Sequence, residues 1–402
     1  MRIFDDKNVC CGCGVCTLLC PTKCIDMTED EEGFSYPAIN QDVCNECGFC
    51  RENCAFQNEK PPVERLGLPH IYAAKHKNDD IRMASTSGGA FTALSDWILS
   101  SGGVVFGVKF NDNFTAVTTY ATTSGERDTF RGSKYIQSEL GNSFIEAKEF
   151  LKMGKPVMFS GTPCQIAALR GYCRDVNIDN LYLCDFICHG VPPQKLFKDC
   201  VGYMEKSIGK RIVKYHHRYK SPKVKWSHME AQIDENGRYY YYYYYRHIFY
   251  SNNALRPCCY NCKYASFTRK ADITIADFWG IKKCMPDFYD RMGVSLILIN
   301  SGKGSIWFDG AREDFLLRES NREDCSRGNP HLIRAVEMPV TRERFWEDYR
   351  NREFSYIIKK YGGKQFVIRC KKIVANVLDD IGLLEFALRV LAIWRRIVGF
   401  MP

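Results

Sequence analysis

From residue 71 onward, short apolar runs alternate with stretches whose apolar residues recur every three or four positions. "IYAAKHK", "GGVVFGVKF", "KPVMFSG", "NLYLCDFI", "ADITIADFW" and "GVSLILIN" predict strands. "GGAFTALSDWILSS", "GNSFIEAKEFLKM", "TPCQIAALRGY" and "PPQKLFKDCVGYMEKS" predict helices between them. Such alternation predicts a mixed α/β domain. Further upstream, "CIDMTEDEEGFSYPAI" predicts two short strands around an acidic glycine turn. Polar, proline-rich "QNEKPPVERLGLPH" predicts a linker. Residues 365–401 predict one long helix with Phe366, Ile373, Val377, Ile381, Leu384, Leu388 and Leu391 in a stripe. Glu385 and Arg389 interrupt that stripe, so the helix is expected to dock on protein, in preference to an anionic membrane surface, and not to span a bilayer.

The expected fold class is therefore α+β. A small domain over 1–58 and a linker over 59–70 precede a mixed α/β domain over 71–335 and a helical extension over 336–402.

Cysteine usage changes this picture most. The chain has 402 residues and 21 cysteines, and nearly half of these precede residue 55. The opening "MRIFDDKNVC" has no apolar signal segment. Dense cysteine without such a signal predicts metal binding in a reducing compartment, and a cytoplasmic location is expected. A formal charge of +9 comes from basic residues scattered through several segments. With no helix-turn-helix or zinc-finger spacing, this predicts a solvated surface and no nucleic-acid partner.

Cys10-x2-Cys13-x2-Cys16-x3-Cys20-Pro21 is followed by Cys44-x2-Cys47-x2-Cys50-x3-Cys54. This is the bacterial two-cluster ferredoxin spacing, in which the fourth cysteine of each run serves the other cluster. Cys10, Cys13, Cys16 and Cys54 are thus expected to hold one 4Fe–4S centre, and Cys44, Cys47, Cys50 and Cys20 the second. Cys11 and Cys24 are left over as small buried residues.

Cys164 in "SGTPCQ" and Cys188 in "CDFICHGVP" each follow an apolar strand, where open α/β sheets place ligands. With two cysteines from "RPCCYNCKY" they give the four thiolates a third cluster requires. A Cys188 nucleophile paired with His189 is disfavoured, because adjacent side chains on extended backbone point apart. Ser87, Gly88 and Gly89 open a helix, where free backbone N–H groups suit a phosphate or a flavin edge; alone they read first as a capping turn. Lys75 and Lys134 are candidate positive charges near such a group, with Lys75 read first as a surface lysine. Asp277 is a candidate contact for a flavin or for Arg269, or equally a structural cap. The tyrosine run 239–245 predicts a partly exposed sheet edge after a hairpin turn.

"STSGGAF", "GGVVFGVKF", "RGSKYIQS", "FSGTPCQIAAL", "CDFICHGVPP" and "CYNCKYASFTRKADITIADFWGI" together resemble the coenzyme F(420) hydrogenase/dehydrogenase beta subunits, over about residues 70–300. The resemblance implies an iron–sulfur flavoprotein oxidoreductase whose large domain holds FAD and a further 4Fe–4S cluster. It implies flavin contacts from Ser87, Gly88, Gly89, Ser133, Lys134, Tyr135 and Gln137. The family motif C-Y-x-C selects Cys259 and Cys262, beside Cys164 and Cys188, as the third set. Implied partners are a redox protein or a hydride-carrying coenzyme of deazaflavin or nicotinamide type. Many bacterial relatives lie among surface-polysaccharide genes. The alternative is an electron-carrying subunit that serves a partner enzyme and has no substrate of its own.

Overall fold

The computed structural model describes residues 3–58, 67, 69–222, 224 and 226–363. Most of the expected linker and the whole long C-terminal helix lie outside these residues.

Near the N-terminus, β1 (Ile25–Glu29) and β2 (Ser35–Ile39) form an antiparallel hairpin. Gly33 turns it at φ +85°, a left-handed conformation that favours glycine, and the Asp30 carboxylate accepts from the Glu32 and Phe34 amides.

The large sheet contains β3 (His70–His76), β4 (Val104–Phe110), β5 (Ala116–Ala121), β6 (Val157–Gly161) and β7 (Leu181–Phe186). It is completed by β11 (Ile273–Asp277), β12 (Ser295–Ile299) and β13 (Phe315–Glu319), in the order β13-β3-β12-β11-β7-β6-β4-β5. A smaller antiparallel sheet is formed by β8 (Ile212–His216), β9 (Ala231–Asp234) and β10 (Tyr239–Tyr240). In the large sheet β11, β7, β6 and β4 run parallel, and β3 shares their direction because β12 is antiparallel to both β11 and β3. The carboxyl ends of five strands therefore lie along one edge.

Both faces of this sheet are covered, which explains why its strands read as near-continuous apolar runs. On one face Val105, Met158, Cys184 and Ile273 pack with Leu94 and Ile98 of helix Ala90–Ser100 and with Trp307 and Phe308 of helix Gly302–Ala311. On the other, Val104, Phe106, Val157, Phe159, Leu181 and Leu183 pack with Phe144, Ile166 and Leu169. Alternate residues of one strand serve opposite cores, as the two-residue strand period requires.

The N-terminal segment shares these cores. Val15 packs with the helix Pro163–Tyr172. Phe34 and Tyr36 of the hairpin join Phe197, Tyr245 and Trp346. Arg342, at the start of helix Arg342–Asn351, grips both oxygens of the Glu32 carboxylate.

The tyrosine run departs from a simple sheet edge. Tyr239 and Tyr240 do form the edge strand β10, but Tyr244–Tyr250 is helical and Tyr243 and Tyr245 are buried. Burial of these rings outweighs the strand preference of tyrosine. Among the described residues, no helix is long and apolar enough to cross a membrane.

Candidate functional site

The two N-terminal cysteine runs are built alike. In each, left-handed residues bend the loop before a short helix: Gly12 (φ +69°) and Gly14 (φ +71°) precede Val15–Leu19, and Glu46 (φ +53°) and Gly48 (φ +75°) precede Phe49–Glu52. A non-glycine residue is costly in that conformation, so the positions are set by the need to turn closely spaced thiols one way.

Two cavities result. One is lined by Cys10, Cys13, Cys16 and Cys54, with Cys11 beside them. The other is lined by Cys20, Cys44, Cys47 and Cys50, with Cys24 beside them. The structure thus brings Cys54 to the first run and Cys20 to the second. Cys24 Sγ lies 3.5 Å from Cys20 Sγ. All the described cysteines are free of disulfide bonds.

Cys164 and Cys188 follow the carboxyl ends of β6 and β7, and Cys188 feels the charges of Cys259, Cys164 and Cys262. Cys164 sits in the first turn of a helix capped by Thr162, whose hydroxyl lies 3.2 Å from its sulfur. Burial, and next the charges of Cys259, Cys164 and Cys262, push the Cys188 thiol well up. Burial, Cys164 and Cys259 push the Cys262 thiol up to about 12. A thiolate raised this way is stabilised by a bound metal, and four sulfur donors are the set that iron–sulfur cubes take. The donor chemistry of all three sets therefore fits 4Fe–4S clusters.

The surplus cysteines are not idle neighbours. The Cys11 thiol interacts with both Cys13 and Cys164 and so stands between the first and third sets. With the Thr162 hydroxyl it holds Cys164 down to about 7 against burial. Cys258 is buried against Cys259.

His189 turns away from Cys188. Its Nδ1 lies 2.8 Å from His331 Nε2 and its Nε2 lies 2.7 Å from Asn252 Oδ1. Both ring nitrogens of His189 are thus engaged by groups other than the Cys188 thiol.

Six of the seven flavin-side candidates fall in two loops that touch, since the Ser133 amide donates to Thr86 Oγ1 at 3.1 Å. Ser87 Oγ donates to Val294 O, and the Gly88 amide donates to Ser295 Oγ. Lys134 Nζ donates to the Phe130 and Arg131 carbonyls, with no carboxylate partner among the described residues, and burial lowers it to about 7. Such an ammonium fits an anionic group. Tyr135 stacks on Phe249 at 4.8 Å.

Gln137 is elsewhere. Its side-chain amide donates to Cys11 O and its oxygen accepts from Arg256 Nη1, both at 3.1 Å. Lys75 lies 3.8 Å from Asp290 and over the Phe288 ring. Asp277 is held by both guanidinium nitrogens of Arg218 and by Trp226 Nε1, whereas Arg269 pairs with Asp185. Arg218 and Arg256 were missed by motif reading. Only the position of Arg256, just before Pro257 and the cysteine pair, offered a signal.

An uncharacterized ferredoxin of Methanocaldococcus jannaschii is 37% identical over 54 residues, which is 13% of this chain and 69% of that protein. Pyruvate synthase subunit PorD of Methanothermobacter marburgensis is 39% identical over 62 residues, 15% of this chain and 67% of that one. A chain of the xenon-derivatized F(420)-reducing nickel–iron hydrogenase complex of Methanosarcina barkeri is 19% identical with a TM-score of 0.46, covering 64% of this chain and 84% of its own. Residues 71–144 match the coenzyme F(420) hydrogenase/dehydrogenase beta subunit N-terminal family, and residues 154–324 match the C-terminal family of the same subunit. More than half of the sequence is covered by these two matches, and the chain belongs to the coenzyme F(420) hydrogenase/dehydrogenase beta subunit family.

Proposed function

We propose that this chain is an iron–sulfur flavoprotein that moves electrons between a hydride carrier, or reduced ferredoxin, and a partner acceptor. The observation that supports the reading is the pair of four-cysteine cavities, with Cys11 of the first interacting with Cys164 of the proposed third set. Relatives named as subunits of pyruvate synthase and of phenylglyoxylate dehydrogenase support a role within a larger redox assembly.

Cys10, Cys13, Cys16 and Cys54 would hold the first cluster. Cys20, Cys44, Cys47 and Cys50 would hold the second, and Cys164, Cys188, Cys259 and Cys262 the third. Such clusters, when bound, accept and release single electrons. FAD, when bound, exchanges a hydride pair for single electrons. Ser87, Gly88, Gly89, Ser133, Lys134 and Tyr135 would hold it on the carboxyl edge of the sheet. Lys134 would neutralise negative charge there, and Tyr135, stacked on Phe249, would pack beside it. Ligand positions are fixed by the cores that the N-terminal segment shares with the sheet. In this arrangement 1–58 acts as the two-cluster domain and 71–335 as the flavin-bearing one.

Anaerobic purification with iron, sulfide and flavin counted tests the reading. About twelve iron atoms are expected per chain, together with one flavin that a deazaflavin or nicotinamide donor bleaches. About eight iron atoms would remove the third cluster. Clusters without flavin would leave a carrier subunit that has no substrate of its own.

A further inference from the structure

Arg256 is 1% exposed, so its charge is removed from water. Burying an unpaired cation costs several kcal/mol unless anions compensate. Among the described residues no carboxylate pairs with it. Its Nε donates to Cys10 O at 2.8 Å, Nη1 to Gln137 Oε1 at 3.1 Å and Nη2 to Ser35 O at 2.9 Å. Nη2 also lies 3.9 Å from Cys10 Sγ, and the guanidinium carbon lies 4.2 Å from the Tyr36 ring centre. The anion this cation faces is therefore the first cysteine set.

The same residue is built into the third set. Its carbonyl accepts from the Cys259 amide at 2.9 Å, and its own amide donates to Val191 O at 2.9 Å, just beyond Cys188. No contact joins it to Cys20, Cys44, Cys47 or Cys50 among the described residues.

We infer that Arg256 is a buried counter-charge shared by the first and third clusters, and that it raises the reduction potentials of both together. This rests on the three-cluster reading above. Reduction adds an electron to an already anionic cluster, and a fixed cation in a low-dielectric site favours the reduced form. One charge acting on two clusters lifts both, so an electron passing between them does not climb on its account.

The test is a redox titration followed by electron paramagnetic resonance on the anaerobically loaded full chain, with iron and sulfide counted. In Arg256→Gln, two of three midpoints should fall while the third holds, and Arg256→Lys should restore them. Three unmoved midpoints in a fully loaded Arg256→Gln protein overturn the inference. If that variant sheds iron, Arg256→Lys decides. Loaded with wild-type midpoints it supports the charge role; loaded with two lowered midpoints, or stripped of iron, it overturns that role in favour of simple docking. The wild-type count checks the cluster reading separately. About eight iron atoms would withdraw the third cluster, and Arg256→Gln would still have to lower the first cluster's midpoint.

Discussion

A β-carbon placed on Gly12 would lie 2.7 Å from Nη1 of Arg256. The first cysteine loop and the large domain are thus fitted to each other at a position where only glycine leaves room. Gly12 also has φ +69°, so a side chain is opposed twice. Gly12→Ala should cost about 1–2 kcal/mol for the left-handed backbone alone, with displacement of Arg256 added. A thermal melt should drop by a few degrees; a drop no larger than the backbone cost would mean the guanidinium moves aside freely, and an unchanged melt would contradict both terms.

Cys258 and Cys259 differ in what their loss should do. Cys258 is buried beside the third set, whereas Cys259 is a proposed ligand. Cys258→Ser should leave the iron content unchanged, and Cys259→Ser should remove about four iron atoms per chain. The reverse result in an iron assay would move the ligand register by one residue.

Gly88 answers a packing demand of its own. A β-carbon there would meet Ala74 O at 2.4 Å and Ser295 N at 2.5 Å, both backbone atoms. Backbone of two central strands yields less easily than a side chain, so Gly88→Ala should cost at least about 1–3 kcal/mol. Lower urea resistance is expected. Full stability with lost flavin would instead assign this glycine to the cofactor alone.

Two adjacent histidines make stability depend on acidity. Burial pushes His217 down to about 3 and His216 down to about 4. His217 Nδ1 lies 3.4 Å from Glu230, longer than a normal hydrogen bond, so burial sets the direction. Between about 3 and about 6.5 the unfolded chain binds a proton at this position that the folded chain refuses. Stability is therefore lost as pH falls below about 6.5, by about 2 kcal/mol at pH 5 for one such histidine. His217→Phe keeps a ring against Phe197 and Tyr215 and should recover most of that loss. Urea unfolding at pH 7 and pH 5 would show it, and an equal drop in both proteins would contradict it.

The six strands and four helices predicted from apolar patterning within 71–300 are present, because each is buried on a definite face and bounded by glycine, proline or polar residues, whereas the tyrosine run 239–245 is strand only at Tyr239–Tyr240. Their spatial order was not legible. β3 lies between β12 and β13, which follow it by more than two hundred residues, and no local pattern reports such pairings. The crossing of Cys20 and Cys54 between cavities matches what spacing implied, since loop, helix turn and fourth cysteine are close in sequence. Gln137 shows the limit. Motif position placed it with the flavin residues, yet its amide bridges Arg256 and Cys11. Contacts between segments more than a hundred residues apart leave no trace in periodicity.

The grip of Arg342 on Glu32, and the burial of Phe34 and Tyr36 among helices of the large domain, carry a consequence for the chain's continuity. Side-chain contacts tie residues 3–58 to the later part of the chain. A single proteolytic nick between residues 59 and 66 should leave two fragments that still co-elute from a sizing column. In physical terms, the N-terminal segment is a subunit that happens to be covalently attached.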